Sequence, residues 1–386
     1  MRGSRSRDLR VLVTGGDHTG PLAAVRALGA AGYEPWVAVS GPRAYAARSR
    51  AAAGLIFVPE SATDPEGFVE TVRSAAHDHG LTAILSGTER DLIAIARFRD
   101  RLGPLGTGIP ELSTALRITS KSTVNQLAAE AGMTTPPTIE VDREALESGN
   151  GLCTPLVVKP LRSETQTNAG GYVHGEARRV NTQPELSRLA PELSGERWLV
   201  QPCIDGQLGA ICGVAWQGAV VCAVHQRAKR IWPADIGISA YAHTVPADRS
   251  LQDSVARLMQ AVNWSGIFQV QFLHTEDASY LIDLNPRIYG SLALATAAGA
   301  NLPAIWVALL TGREAKAVHY RVGVHYRAEE QDVRALLHLL KTRRPAAALL
   351  GLIPRRDTAH AVAELADPLP ALTSLAKLRR RPTRSS

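Results

Sequence analysis

The sequence predicts an α/β protein that becomes α+β in its core, with a Rossmann-like domain at its N-terminal end. Three observations lead there. At 386 residues the chain exceeds what one compact core usually holds, so two or three domains are expected. Residues 9–14, LRVLVT, form an unbroken apolar run of the kind buried on both faces of a parallel sheet. Farther on, AICGVAWQGAVVCAVHQRAKR carries Gln217-Gly218 between two long strand-like runs, the mark of an antiparallel hairpin.

After the first strand comes a glycine-containing turn, then Pro21 at a first helical position, Leu22, Val25 and Leu28 on the helix, and Gly32 as its stop. Pro35 to Val39 supplies the second strand of a βαβ unit. A dinucleotide fingerprint does not fit, because the GxGxxG register would run Gly15, Asp17, Gly20 and put a carboxylate where glycine must let backbone approach a pyrophosphate. Ala83-Ile84-Leu85-Ser86 and a helix from Arg90 to Arg101 continue the pattern to about residue 112, with Glu89 at a strand end as a candidate substrate residue.

The second block opens with a helix from Ser120 to Ala131. Val124, Leu127, Ala128 and Ala131 line one face and Gly132 ends it. Lys121 lies in its first turn, where a cation opposes the helix dipole. The strand PLVVKP then ends in Lys159, a charge among buried positions that needs an anionic partner. Ser163 to Gly171 is polar; with Gly170 and Gly171 it reads either as a loop that folds over a ligand or as a solvated hairpin loop. The strand WLVQPCIDG follows, then the hairpin, whose outgoing strand ends in Arg227, Lys229 and Arg230.

Residues 266–303 are the most informative. In GIFQVQFLHTEDASY, Phe268, Val270 and Phe272 fall on one face of a strand, Gln269 and Gln271 on the other. In the following YLIDLNPR, Asp283 and Asn285 point the same way, about 7 Å apart along an extended chain. Hard oxygen ligands so placed hold Mg²⁺ incompletely and leave coordination positions for phosphate oxygens. Gln271 can join them, and Arg287 just beyond offers a fixed fork of donors suited to phosphate. The plainer alternative is a hairpin with an Asn-Pro turn in which Asp283 caps and Arg287 sits in solvent.

Acid, x, Asn, Pro, Arg on a strand end, continued by ATAAGANLP within a helix from Ala295 to Ala308, resembles the C-terminal metal site of the ATP-grasp superfamily, in its carboxylate-amine ligase branch. The metal set of Gln271, Asp283 and Asn285 has a glutamine where one carboxylate is usual, a choice also found in carbamoyl phosphate synthetase large chains. The resemblance implies a Rossmann-like pre-ATP-grasp domain over 1–112, an N-terminal ATP-grasp lobe with a phosphate-covering loop over 113–200, a C-terminal lobe with the metal site over 201–315, and a helical tail over 316–386. It implies that Lys121 and Lys159 reach ATP phosphates and that WLVQPCIDG is the adenine hinge. Pro202 replaces the hinge glutamate and lacks an N–H, so adenine would rest on Gln201, Cys203 and Ile204. Gln207 stands where an acid commonly follows the hinge. IWPADIGISAYAHT resembles the substrate loop, which makes Arg227 and Lys229, with Arg287, candidate catalytic cations; a solvated charge cluster is the alternative for the first two.

Composition is that of an ordinary globular protein. The chain is 45% apolar and 20% charged, and part of its net charge of +7 sits in the termini MRGSRSRDLR and KLRRRPTRSS, which read as solvated ends. It lacks the aromatic-basic interleaving of a nucleic-acid binder. Cys153, Cys203, Cys212 and Cys222 have no metal-ligand spacing and fit a reducing, cytoplasmic setting, and the apolar runs are too short to span a bilayer. The expected activity is that of an ATP- and Mg²⁺-dependent ligase, with Mn²⁺ as a substitute metal, acting on a small-molecule carboxylate and amine through an acyl phosphate. A homodimer is left open. The other reading is a catalytically silent ATP-grasp nucleotide-binding protein.

Overall fold

The structure, a computed structural model, describes residues 9–42, 44–106, 108–149, 151–162, 164–166, 172–193, 195–315, 318–342 and 355–373. Its first unit is a parallel sheet in the order β3-β2-β1-β4, built from β1 (Arg10–Val13), β2 (Glu34–Val39), β3 (Gly54–Phe57) and β4 (Leu81–Leu85). Helices α1 (Thr19–Ala30), α2 (Pro65–His79) and α3 (Glu89–Arg97) connect and flank it. The apolar run at the start of the chain is β1, with Val11, Leu12 and Val13 fully buried, as a central parallel strand requires. Pro21 is the third residue of α1, not the first, because the helix begins beyond His18 at Thr19.

Next come α4 (Leu112–Ile118) and α5 (Lys121–Glu130), whose N-cap is Ser120. A small lobe follows, with β5 (Ile139–Asp142), α6 (Arg143–Ser148), β6 (Leu156–Pro160), β7 (Glu164–Gln166), β8 (Tyr172–His174), β9 (Arg178–Val180), α7 (Gln183–Leu189) and β10 (Arg197–Pro202). Its sheet runs β5-β10-β6-β9, and β7 pairs with β8. Val158, Leu186 and Trp198 are buried in a core of its own.

The remaining strands form one seven-stranded sheet, β15-β14-β11-β12-β13-β16-β17. They are β11 (Gln207–Trp216), β12 (Ala219–Trp232), β13 (Ile238–Thr244), β14 (Gly266–His274), β15 (Ser279–Asn285), β16 (His325–Arg327) and β17 (Thr358–His360), with α8 (Arg249–Ala261), α9 (Leu292–Ala297), α10 (Leu302–Leu310) and α11 (Glu329–Lys341). The β11–β12 turn has positive φ at both Gln217 and Gly218, 49° and 80°, the hand that matches hairpin twist.

Two expectations are corrected here. The helix expected from Ala295 to Ala308 is two helices, because Asn301 caps a new one through Ala304 N–H at 3.1 Å and Pro303 sits in its first turn. Among the described residues the C-terminal segment is not simply a helical tail, since β16 and β17 extend the large sheet beside the helix α11.

The N-terminal unit is fused to the large sheet. Asn301 donates to Ala27 O at 2.7 Å, and Ile288 N–H donates to Ser86 O at 3.1 Å. A side chain at Gly20 would begin 2.5 Å from Tyr289 O, so glycine lets α1 press against the chain just after β15. The C-terminal ends of β1 and β4 thereby border the end of β15.

Candidate active site

Register brings the site together. Gln271 stands opposite Asp283, and Gln269 opposite Asn285, on β14 and β15. All four therefore share one face. Asn285 Nδ2 donates to Gln269 Oε1 at 3.2 Å and to Asp283 Oδ2 at 3.5 Å. Arg287 Nη2 donates to Asn285 Oδ1 at 3.0 Å and Nη1 to Ile288 O at 2.8 Å, while its buried Nε meets no acceptor among the described residues. Asp283, Asn285 and Arg287 are thus one connected unit, not a solvated turn.

Two lysines converge on it. Lys121 Nζ lies 3.9 Å from Asp283 Oδ1. Its backbone N–H donates to Leu161 O, which ties the start of α5 to the loop after β6. Lys159, half-buried on β6, donates to Ile282 O at 3.3 Å. Desolvation brings its ammonium down to about 8, with Asp283 opposing the shift and Lys121 adding to it. Two cations face one carboxylate, a balance that an anionic ligand would restore.

Glu89, 6% exposed at the start of α3, lines the same cleft as Lys121, Asn125, Ile282 and Asp283. Behind it, Asp91 accepts from Thr14 Oγ1 at 2.7 Å and from Ser61 Oγ at 2.6 Å, tying the segments after β1 and β3 to α3. Desolvation, then Arg287 and Arg90, hold the His18 imidazole below its ordinary value, so these three groups share one neighbourhood.

The hinge residues are placed as follows. Gln201 is buried and donates to Thr138 Oγ1 at 2.8 Å. Cys203 N–H donates to Pro155 O at 3.3 Å, and Gln207 Nε2 to Ala228 O at 3.0 Å. Both donors are engaged within the protein. Ile204 lies in the link between β10 and β11. Most of the expected phosphate-covering loop, residue 163 and residues 167–171, lies outside the described residues.

Arg227 and Lys229 are not brought to Asp283. Arg227 pairs in register with Gly209 and, across β11, with Phe272, so it shares the face opposite Gln271. There it is held below its ordinary value by desolvation, with Asp248 opposing. A bulge after Ala228 turns Arg230 to that outer face too, where it packs on Tyr241 at 4.4 Å and pairs with Asp332 at 2.6 Å. On the inner face β12 offers instead Gln226, whose Nε2 donates to Ser291 Oγ at 2.9 Å. Alternation alone could have flagged this, had the outgoing strand been registered against Gln271. Gln269 was on the right face in the sequence and is the residue that holds Asn285.

The donor set suits a hard dication only in part. No group of three His, Cys, Asp or Glu side chains able to hold a metal is present among the described residues. Asp283, Asn285 and Gln271 supply one carboxylate and two amide oxygens, a set that fits Mg²⁺ when phosphate oxygens complete the shell.

Residues 194–332 match a family described as ATP-grasp in the biosynthetic pathway with Ter operon. No curated protein matches the chain in sequence. Among solved structures, the L-amino acid ligase from Bacillus licheniformis is similar at TM-score 0.60 and 17% identity, over 79% of this chain and 74% of that one. The N5-carboxyaminoimidazole ribonucleotide synthetase from Thermus thermophilus matches at TM-score 0.60 and 18% identity, over 81% of each chain. The biotin carboxylase domain of the Hydrogenobacter thermophilus 2-oxoglutarate carboxylase, solved with MgADP and bicarbonate, matches at 0.59 and 13%, over 82% and 73%. The fold is that of the ATP-grasp proteins. No helix among the described residues is long and apolar enough to cross a membrane.

Proposed function

We propose that this chain, an ATP-grasp protein by fold, is an ATP- and Mg²⁺-dependent ligase that joins a small-molecule carboxylate to an amine. The observation that carries the reading is the convergence of Lys121 and Lys159 on Asp283, beside Asn285 and Arg287, where two cations and an oxygen-donor set await a polyphosphate. In the first step a carboxylate oxygen attacks the γ-phosphorus, the bond to the bridging β,γ-oxygen breaks, and ADP leaves. In the second the amine nitrogen attacks the acyl carbon, phosphate departs, and the nitrogen loses its proton.

Each residue has a role in this reading. Lys159 and Lys121 hold phosphate oxygens, and the partial desolvation of Lys159 strengthens its charge contact. Arg287, fixed by its bonds to Asn285 and Ile288, neutralises charge on the transferred group. Gln271, Asp283 and Asn285 would hold Mg²⁺, which when bound screens the phosphate charges. Glu89 lines the cleft from the N-terminal unit, where the acceptor would sit. Positioning and charge neutralisation suffice for such chemistry, which needs no protein nucleophile.

The test is a screen of amino acids, peptides and other carboxylates with amines for Mg²⁺-dependent ADP release. Acceptor-dependent ADP supports the ligase. The second reading, a silent nucleotide-binding protein, draws on the single carboxylate of the metal set and on Pro202 at the hinge; it predicts ADP binding with no turnover.

A further inference from the structure

The outer face of the seven-stranded sheet carries a second concentration of positive charge. Register lines up Arg227 on β12, His243 on β13 and His325 on β16 as direct cross-strand neighbours. With strands about 4.8 Å apart, the row spans about 10 Å. The His243 and His325 rings stack with centroids 5.9 Å apart, and Tyr241 stacks on His325 at 5.5 Å. His243 Nδ1 is 3.1 Å from Arg227 O, which fixes its ring in the row. His325 is only 8% exposed, yet its Nδ1 has no hydrogen-bond partner among the described residues.

Lys229 lies in the bulge of β12, two residues beyond Arg227, and Arg355 lies three residues before Thr358, the register partner of His325. After desolvation, Lys229 is the largest influence holding His243 below its ordinary value, with Arg227 and Arg355 adding to it. Desolvation, then Lys229, Arg355 and His243, bring His325 down to about 4. Among the described residues the facing acids are Asp248, near Arg227; Asp357, which opposes the shift at His325 and lies 3.9 Å from Arg321; and Asp332, held by Arg230 and Arg327 around Tyr241, while the His274 imidazole adjoins Arg227. On this row the basic side chains therefore outnumber the carboxylates that are not already paired with another arginine. Like charges gathered in this way repel, and a bound anion relieves the repulsion.

We propose that Arg227, Lys229, His243, His325 and Arg355 form an anion site for a small ligand carrying linked phosphate groups, separate from the cleft at Asp283. A row of about 10 Å is too long for one carboxylate and matches two joined phosphates. Lys229 and Arg355 are exposed and give access from solvent, while the buried His325 Nδ1 supplies a donor once protonated. Binding therefore takes up protons and strengthens as pH falls.

Inorganic pyrophosphate is the probe, titrated into the metal-free full-length chain with ¹³C-labelled histidines, against sodium chloride at equal ionic strength. His243 and His325 report this site, and His18, at the N-cap of α1 in the N-terminal unit, reports a region away from it, so the outcome does not depend on the ligase reading. The expected result is saturable movement of the His243 and His325 signals, a rise in their titration midpoints, and binding at least tenfold weaker in Arg355→Ala and in His243→Asn. Movement reproduced by chloride, undiminished in both variants, or confined to His18 would overturn the proposal.

Discussion

Lys121 Nζ lies 3.9 Å from Asp283 Oδ1, joining the first turn of α5 to the end of β15. Lys159 sits on the neighbouring carbonyl of Ile282, and in the proposed function polyphosphate would lie against this pair. Asp283→Ala and Asn285→Ala are each expected to lower Mg²⁺-dependent ADP formation by about a hundredfold or more, roughly 3 kcal/mol of transition-state stabilisation. Thermal melts should stay within a few degrees of the parent, because both side chains are only half-buried. Near-normal turnover at saturating Mg²⁺ in either variant contradicts the metal assignment.

Lys159 gives the proposed nucleotide site a pH dependence. Its midpoint of about 8 lies below the ordinary lysine value, so the free protein loses this charge as pH rises past about 8. Phosphate binds the protonated form and raises the midpoint in the complex, so affinity for ATP falls between that pH and the complexed value. Calorimetry with a non-hydrolysable ATP analogue at pH 7 and pH 9 should record weaker binding at the higher pH, and the difference should vanish in Lys159→Arg.

Gln269 acts through Asn285. Its Oε1 accepts from Asn285 Nδ2 and leaves Asn285 Oδ1 turned toward Arg287. Gln269→Leu should raise the Mg²⁺ concentration needed for half-maximal turnover by about tenfold, the usual cost of losing a group that orients a ligand. Saturating metal should recover most of kcat; a loss of kcat with no change in metal requirement would point to a general packing defect instead.

Asp332 is a stability determinant. Only 1% exposed, it pairs with Arg230 at 2.6 Å and Arg327 at 3.0 Å, and both guanidiniums pack on Tyr241. Asp332→Ala leaves two partly buried cations without their carboxylate and should cost about 3 kcal/mol or more. Urea denaturation checks this, and a loss under about 1 kcal/mol would mean that the cations find solvent.

Much of this was legible in sequence because short-range periodicity set it. Alternation put Asp283 and Asn285 on one face, and the apolar run at residues 9–14 announced β1. What was not legible depended on register and bulges. Arg227 and Lys229 stood close to the hairpin's end, yet strand parity sends Arg227 to the outer face and the bulge after Ala228 takes Lys229 out of the strand's alternation. Gln269 and Gln271 have identical parity, and only the pairing of β14 with β15 tells which one meets Asn285. The short strands β16 and β17 carry too few residues to declare a period, so their place in the large sheet is a tertiary fact.

The measurement that bears most directly on the central claim is trapping of the activated acid. ATP, Mg²⁺ and an accepted carboxylate, incubated with hydroxylamine in place of the amine, should give the hydroxamate and one ADP per hydroxamate. The same reaction in Asp283→Ala should give neither. AMP and pyrophosphate as the stoichiometric products would contradict γ-phosphoryl transfer, even if an amide were made.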